Sequence, residues 1–159
     1  MLKSAVLSYD RKYRYLLTRR WGPGLTATFI MLNPSTADEA IDDPTIKRCI
    51  GFAARWGCAA ISIGNLFAYR TKDPGLLKKV NDPVGPDNMR HLRALVAGAK
   101  SGTGYVVVAW GSLGGMMGQD EAFLNVSEHL IELRALRLTK KGMPEHPLYV
   151  PYSVEPVRV

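Results

Sequence analysis

Asn33-Pro34-Ser35 closes an apolar run, Phe29-Ile30-Met31-Leu32. Four apolar residues in a row suit a strand covered on both faces, as in a parallel sheet. Pro34 has no N–H, so the ladder stops there and the chain turns. Open α/β sheets place their ligands at that carboxyl end of a strand. Asn33 would present an uncharged donor and acceptor there, with Pro34 and Ser35 beside it; the same three residues also make an ordinary turn. A second apolar run, Ala60-Ile61-Ser62-Ile63, leads into Gly64-Asn65, and a third, Tyr105 to Ala109, leads into Trp110-Gly111. Beyond a fourth run lies His146-Pro147. If these ends share one edge, two amides, an indole and an imidazole surround a single crevice. Such a set suits a flat, neutral, hydrogen-bonding ligand such as a nucleobase. Each residue also has a plainer reading: Asn65 as a strand-end turn residue, Trp110 as core packing, His146 as an exposed loop residue. Arg70, just past Asn65, offers a guanidinium suited to phosphate or carboxylate, or else a surface salt bridge. The glycine-rich stretch from Gly111 either wraps a phosphate or is a flexible loop.

The elements that must position these residues follow from periodicity. Ala5–Tyr9 and Tyr13–Leu17 read as a β-hairpin turning at Asp10-Arg11-Lys12, with Tyr13 and Tyr15 on one face and Arg14 on a charged one. Thr26–Leu32 is the next strand. Asp43-Pro44 is a helix start, Asp as N-cap and Pro at the first helical position, and Gly57 ends that helix. Asp73-Pro74 opens a short helical turn through Lys79. A longer helix runs from about Pro86 to Ala99, with Met89, Leu92, Leu95, Val96 and Ala99 as its apolar stripe. The spacing predicts a further helix from about Asp120 to Arg134 and a fourth strand at Leu136–Thr139. The order is a hairpin followed by β-α-β-α-β-α-β. This predicts a single three-layer α/β domain over residues 1–159, with a central four-stranded, mostly parallel sheet, helices on both faces and the hairpin added.

Composition narrows the partners. The chain has 159 residues, a hydrophobic fraction of 47% and a net charge of +7, which favours anionic partners, nucleic acid being the commonest. No apolar run approaches the roughly 18 residues that span a bilayer. The first ten residues do not form a secretory signal, so a cytoplasmic protein without membrane contact is expected. Cys49 and Cys58 match no metal or redox spacing and read as buried thiols. No cofactor or metal is expected, although Asp38, Glu39, Asp42 and Asp43 form an acidic cluster that could hold Mg²⁺.

The motifs also resemble known ones. Met31-Leu32-Asn33-Pro34-Ser35, Asn65 at a second strand end, Trp110-Gly111 and His146-Pro147 are similar to the motif series of the uracil-DNA glycosylase superfamily. That resemblance implies a uracil-DNA glycosylase-like fold. It also implies that Asn33 positions the attacking water, Asn65 reads the base edge and His146 lies near a base oxygen. The sequence departs from the pattern at Met31 and Ser35, where glycines are usual, and at Lys140 to Glu145, which precede the His-Pro pair. Over nearly its whole length the chain is similar to a closer family of bacteria and phages, DUF1643, a domain of unknown function. That likeness includes Leu32–Asp38, Asn65–Arg70, Asp82-Pro83-Val84-Gly85 and His146–Pro151.

Three functions are consistent with these residues. The first is a glycosylase-like hydrolase that cleaves the N-glycosidic bond of a non-standard or damaged base in DNA. Asn33 and His146 would be its catalytic residues, and Pro34, Ser35, Asn65, Arg70, Trp110 and Gly111 would bind substrate. The second is a non-catalytic module that binds nucleic acid or a nucleotide. The third is a Mg²⁺-dependent phosphohydrolase or transferase built on the acidic cluster.

Overall fold

The structure, a computed structural model, describes residues 1–102, 104–127 and 131–159. The strands are β1 (Leu2–Leu7), β2 (Arg14–Arg20), β3 (Thr26–Met31), β4 (Ala60–Asn65), β5 (Val106–Val108), β6 (Leu133–Ala135) and β7 (Val157–Arg158). The helices are α1 (Pro44–Arg55), α2 (Asn88–Gly102) and α3 (Gln119–Ser127). All strands join one sheet in the order β1-β2-β4-β3-β5-β6-β7. The inner pairs β4–β3, β3–β5 and β5–β6 are parallel; β1–β2, β2–β4 and β6–β7 are antiparallel.

Among the described residues the sheet therefore has seven strands rather than the expected four. Four parallel strands form its centre, but the hairpin is not separate: β2 pairs with β4, Leu17 opposite Ile63. The seventh strand, Val157–Arg158, closes the other edge; its two residues are too short to show a period in sequence. The fourth central strand is Leu133–Ala135, not Leu136–Thr139. Leu133 and Ala135 are buried with Arg134 half-exposed between them, a period of two over three residues that a helical window absorbs. The helix expected to reach Arg134 is described only to Ser127, and residues 128–130 of that expectation lie outside the described part.

Two cores result, one on each face. Phe29, Met31 and Val107 pack with Cys49, Phe52 and Ala53 of α1. Ile30, Val106 and Val108 pack with Leu92 and Val96 of α2 and Phe123 of α3. Consecutive residues of β3 and β5 thus serve opposite cores, which is why both strands read as unbroken apolar runs. The chain leaves β3 toward β4 through α1, then returns past β3 to β5 through α2 on the other face. The carboxyl ends of β3 and β5 therefore diverge at a topological switch point.

The long loop from Pro34 to Asp43 is tied down by two buried arginines of β2. Arg19, fully buried, donates from Nε to Asp42 Oδ1 at 2.6 Å and from its other nitrogens to the carbonyls of Asp38, Ile41, Ser4 and Thr18. Arg14, 2% exposed, donates to the Ala37 carbonyl and to Asn65 Oδ1. Arg14, expected on a charged face of its strand, is instead covered, because the loop supplies the Ala37 carbonyl to its guanidinium. Burial lowers the Arg14 pKa to about 10, so the group stays cationic at neutral pH.

Candidate functional site

At the switch point lies a hollow of about 510 Å³. One wall comes from the β3 carboxyl end and the segment after β4: Asn33, Ser35, Thr71 and Lys72. The opposite wall comes from the β5 end and the segment after β6: Trp110, Gly111, Ser112 and His146. Thr45, near the start of α1, and the apolar rim residues Leu113 and Leu148 complete it. A groove of about 440 Å³ between β2 and α2 lies at the amino end of β3, beside Thr26 and Gly104, and contains none of the sequence candidates.

Asn33 is held in one orientation. Its Nδ2 donates to the carbonyls of Thr71 (2.9 Å) and Pro34 (3.1 Å), and the Thr71 N–H donates back to the Pro34 carbonyl at 2.9 Å. Two acceptors identify the nitrogen end of the amide, so Oδ1 is left to accept a hydrogen bond from a ligand or water. Pro34 is buried and acts through its carbonyl, not as a lining residue.

His146 is the N-cap of a short 3₁₀ turn, Pro147–Tyr149. Its Nδ1 accepts the Leu148 N–H at 3.2 Å. In the neutral ring the proton then sits on Nε2, which becomes a donor. Burial holds the imidazole pKa below its ordinary value, partly offset by the Asp43 carboxylate, and so favours that neutral form. Gly111, with φ of +75°, brings the β5 end close to His146; its N–H donates to the Pro144 carbonyl at 2.7 Å. This contact between segments draws His146 to the hollow despite the residues between the last central strand and the His-Pro pair.

Trp110 belongs both to the core and to the hollow. Its indole is 3% exposed and meets Phe123 edge to face, with ring centroids 6.0 Å apart. Nε1 is buried without a partner. The backbone of Gly114 lies against the Cδ1–Nε1 edge, leaving no room for a Cβ there. The glycine-rich turn thus covers the indole.

Asn65 and Arg70 do not line the hollow. Asn65 is 1% exposed; its Oδ1 accepts from Arg14 Nη2 at 3.4 Å, and its carbonyl accepts from Asn88 Nδ2 at 2.8 Å. β4 ends alongside Met31 of β3, so Asn65 falls behind the wall, where buried Arg14 claims it. Asn65 Nδ2, Asn88 Oδ1 and Arg14 Nε have no partner in this cluster. Arg70 turns onto the backbone carbonyls of Ser35, Arg11 and Thr36 and braces the loop.

The acidic cluster is dispersed. Asp38 Oδ1 accepts the N–H groups of Ala40 and Ile41, Asp42 pairs with Lys3 and Arg19, and Asp43 caps α1 through the Ile46 N–H. Among the described residues no three His, Cys, Asp or Glu side chains converge on a possible metal position. No helix among them is long and apolar enough to cross a membrane.

Sequence reading overlooked Lys72 and Thr45 in the hollow and Asn88 behind it, and singled out Ser112 only as part of the glycine-rich turn. Lys72 sits in a polar loop with no period to mark it. Arg14 carried a signal, a cation at alternate spacing between two tyrosines of a strand, which also fits a solvated face.

Residues 14–148 match the model of a family described as a protein of unknown function, DUF1643. The chain belongs to this family. The matched region begins at the buried Arg14 and ends at Leu148, so it contains both walls of the hollow and leaves out β1 and β7. Neither the curated proteins nor the solved structures contain a match.

Proposed function

We propose that this DUF1643 chain is a glycosylase-like enzyme that hydrolyses the N-glycosidic bond of a non-standard or damaged base in DNA. The observation that carries this reading is the pairing across the hollow: Asn33 Oδ1 as an oriented acceptor on one wall, and the neutral His146 Nε2–H as a donor on the other. Loss of a base leaves its electron pair on the ring, where it develops as charge on a carbonyl oxygen. A neutral imidazole N–H aimed at that oxygen stabilises the charge without a prior deprotonation. Asn33 orients the water that adds to the sugar carbon. An amide is too weak a base to deprotonate that water strongly at neutral pH, so the expected turnover is modest. Trp110, packed on Phe123 and covered by the glycine-rich turn, backs the wall beside His146 rather than presenting an open ring face.

The test is incubation with single- and double-stranded oligonucleotides carrying uracil, hypoxanthine or phage-type modified bases. Abasic sites are expected with at least one of these, falling about a hundredfold or more in Asn33→Ala and in His146→Ala. Absence of abasic sites across the panel overturns the reading.

A second reading, a binding module without catalysis, is favoured by one observation: Asn65, the amide that would read the base edge, is withdrawn behind the wall. Binding that survives Asn33→Ala with no product formed supports this alternative. The phosphohydrolase reading loses its ground because each carboxylate of the acidic cluster is committed to a cap or an ion pair.

A further inference from the structure

The hollow offers more hydrogen-bonding capacity than a bare heterocycle can use. Besides Asn33 Oδ1 and His146 Nε2, the hydroxyls of Ser35, Thr45 and Ser112 and the ammonium of Lys72 have no partner within the described protein. Among the described residues, the other charged side chain on the lining, Glu145, is paired with Arg137 at 2.6 Å. Lys72 is therefore an uncompensated cation at the edge of a hollow of about 510 Å³, a size that holds a whole drug-sized ligand.

Lys72 and Ser35 share a wall. Segments 33–35 and 71–72 are laced together by the Thr71 N–H to Pro34 carbonyl bond and the Asn33 Nδ2 to Thr71 carbonyl bond, both 2.9 Å. Arg70 Nε donates to the Ser35 carbonyl at 3.4 Å and braces the same strip. The indole and imidazole stand on the opposite wall, so ring recognition and charge are separated across the hollow. We infer that the Asn33–Lys72 wall is a phosphate subsite, in which Lys72 and the Ser35 hydroxyl hold a phosphate of the nucleotide unit whose base lies against Trp110 and His146. A phosphate brings several acceptor oxygens and the negative charge that the wall lacks, and an ammonium binds it as a point charge. This deepens the proposed function and rests on its placement of the base, but it requires no bond cleavage.

The shared chemistry is a nucleotide phosphate, which reaches the site either in a nucleic-acid strand or on a free nucleotide. Binding is measured by fluorescence anisotropy for a labelled mixed-sequence 12-mer (~12 nucleotides, single-stranded and duplex) across a salt series. The free-nucleotide arm is a titration with mixed deoxynucleoside monophosphates, followed by amide shifts. Binding in at least one arm is expected. Lys72→Gln should weaken it about fivefold and, for a strand, reduce the log–log salt slope by about one. Ser35→Ala should weaken it about twofold. Arg93→Gln, an exposed cation on α2, controls for diffuse charge and should leave free-nucleotide binding unchanged and the strand slope less affected than Lys72→Gln. Lys72 is exposed and the fold makes no use of its charge, so the variant should keep the wild-type Tm. No binding in any arm, or equal binding and slope in wild type and Lys72→Gln, overturns the subsite. Lys72-dependent binding without base release leaves the subsite standing and removes the glycosylase reading. Base release at the wild-type rate by Lys72→Gln with an unchanged slope removes the subsite alone.

Discussion

His146 shows how a single backbone contact decides a residue's chemistry. The Leu148 N–H occupies Nδ1, so the neutral ring of this lining residue carries its proton on Nε2, and burial favours that neutral form. The same burial makes a prediction about stability. His146 and His91 both have pKa values lowered from 6.5, chiefly by burial. Above that pH neither the folded nor the unfolded chain protonates them, and their contribution is fully present. As pH falls below 6.5 the unfolded chain takes up protons first, and stability is lost until the folded pKa is passed. His146→Asn keeps a capping acceptor but removes the titration. The expected outcome is a smaller fall in Tm for His146→Asn than for wild type between about pH 7 and about pH 5, read by calorimetry. Equal slopes would show that His146 titrates alike in both states.

The loop between β3 and α1 carries Asn33 and Ser35, and its buried apolar residues, Leu32, Pro34 and Ala37, all lie in its first half. Its order comes from β2, which projects Arg14 and Arg19 beneath it. Arg19 pairs with Asp42, and its pairing carboxylate has a pKa held low by Lys3 and Arg19 against the cost of burial. Removing the guanidinium leaves several loop carbonyls and part of a carboxylate without donors. Arg19→Ala is therefore expected to lose about 3 kcal/mol, read from the urea midpoint at unchanged m-value. A change below about 0.5 kcal/mol, the range of an ordinary surface substitution, would show that the loop holds itself.

Across the whole molecule, order should follow position in the sheet. β3 and β5 are buried on both faces, and β4 is paired on both edges, whereas β1 and β7 are edge strands with mostly exposed side chains. Native-state hydrogen exchange is expected to be slowest in β3, β4 and β5, near the global unfolding free energy, and fastest in β1 and β7. Protection of β1 equal to that of β3 would contradict this gradient. Three of the four segments that wall the hollow follow β3, β4 and β5, the strands expected to be most protected, and His146 follows β6.

The α/β class, the presence of α1, α2 and α3, and the Asp-capped starts of α1 and of the turn at Pro74–Lys78 were legible in the chain itself, because each depends on local physics: apolar runs of a given period, and Asp-Pro pairs that cap a helix and preset its first turn. Leu133–Ala135 and Val157–Arg158 were not, because two or three residues cannot display a period. The candidate site was half legible. Asn33, Ser35, Trp110, Gly111 and His146 face one hollow because strand ends at a switch point must diverge around one. Asn65 looks equivalent to Asn33 in sequence, but packing places it against Arg14, and no local pattern records which strand-end amide an arginine from a different strand will claim. Lys72 came to the hollow by the lacing of two distant segments, and only the tertiary structure decides which loops are laced, since their hydrogen bonds run through backbone groups that every residue carries.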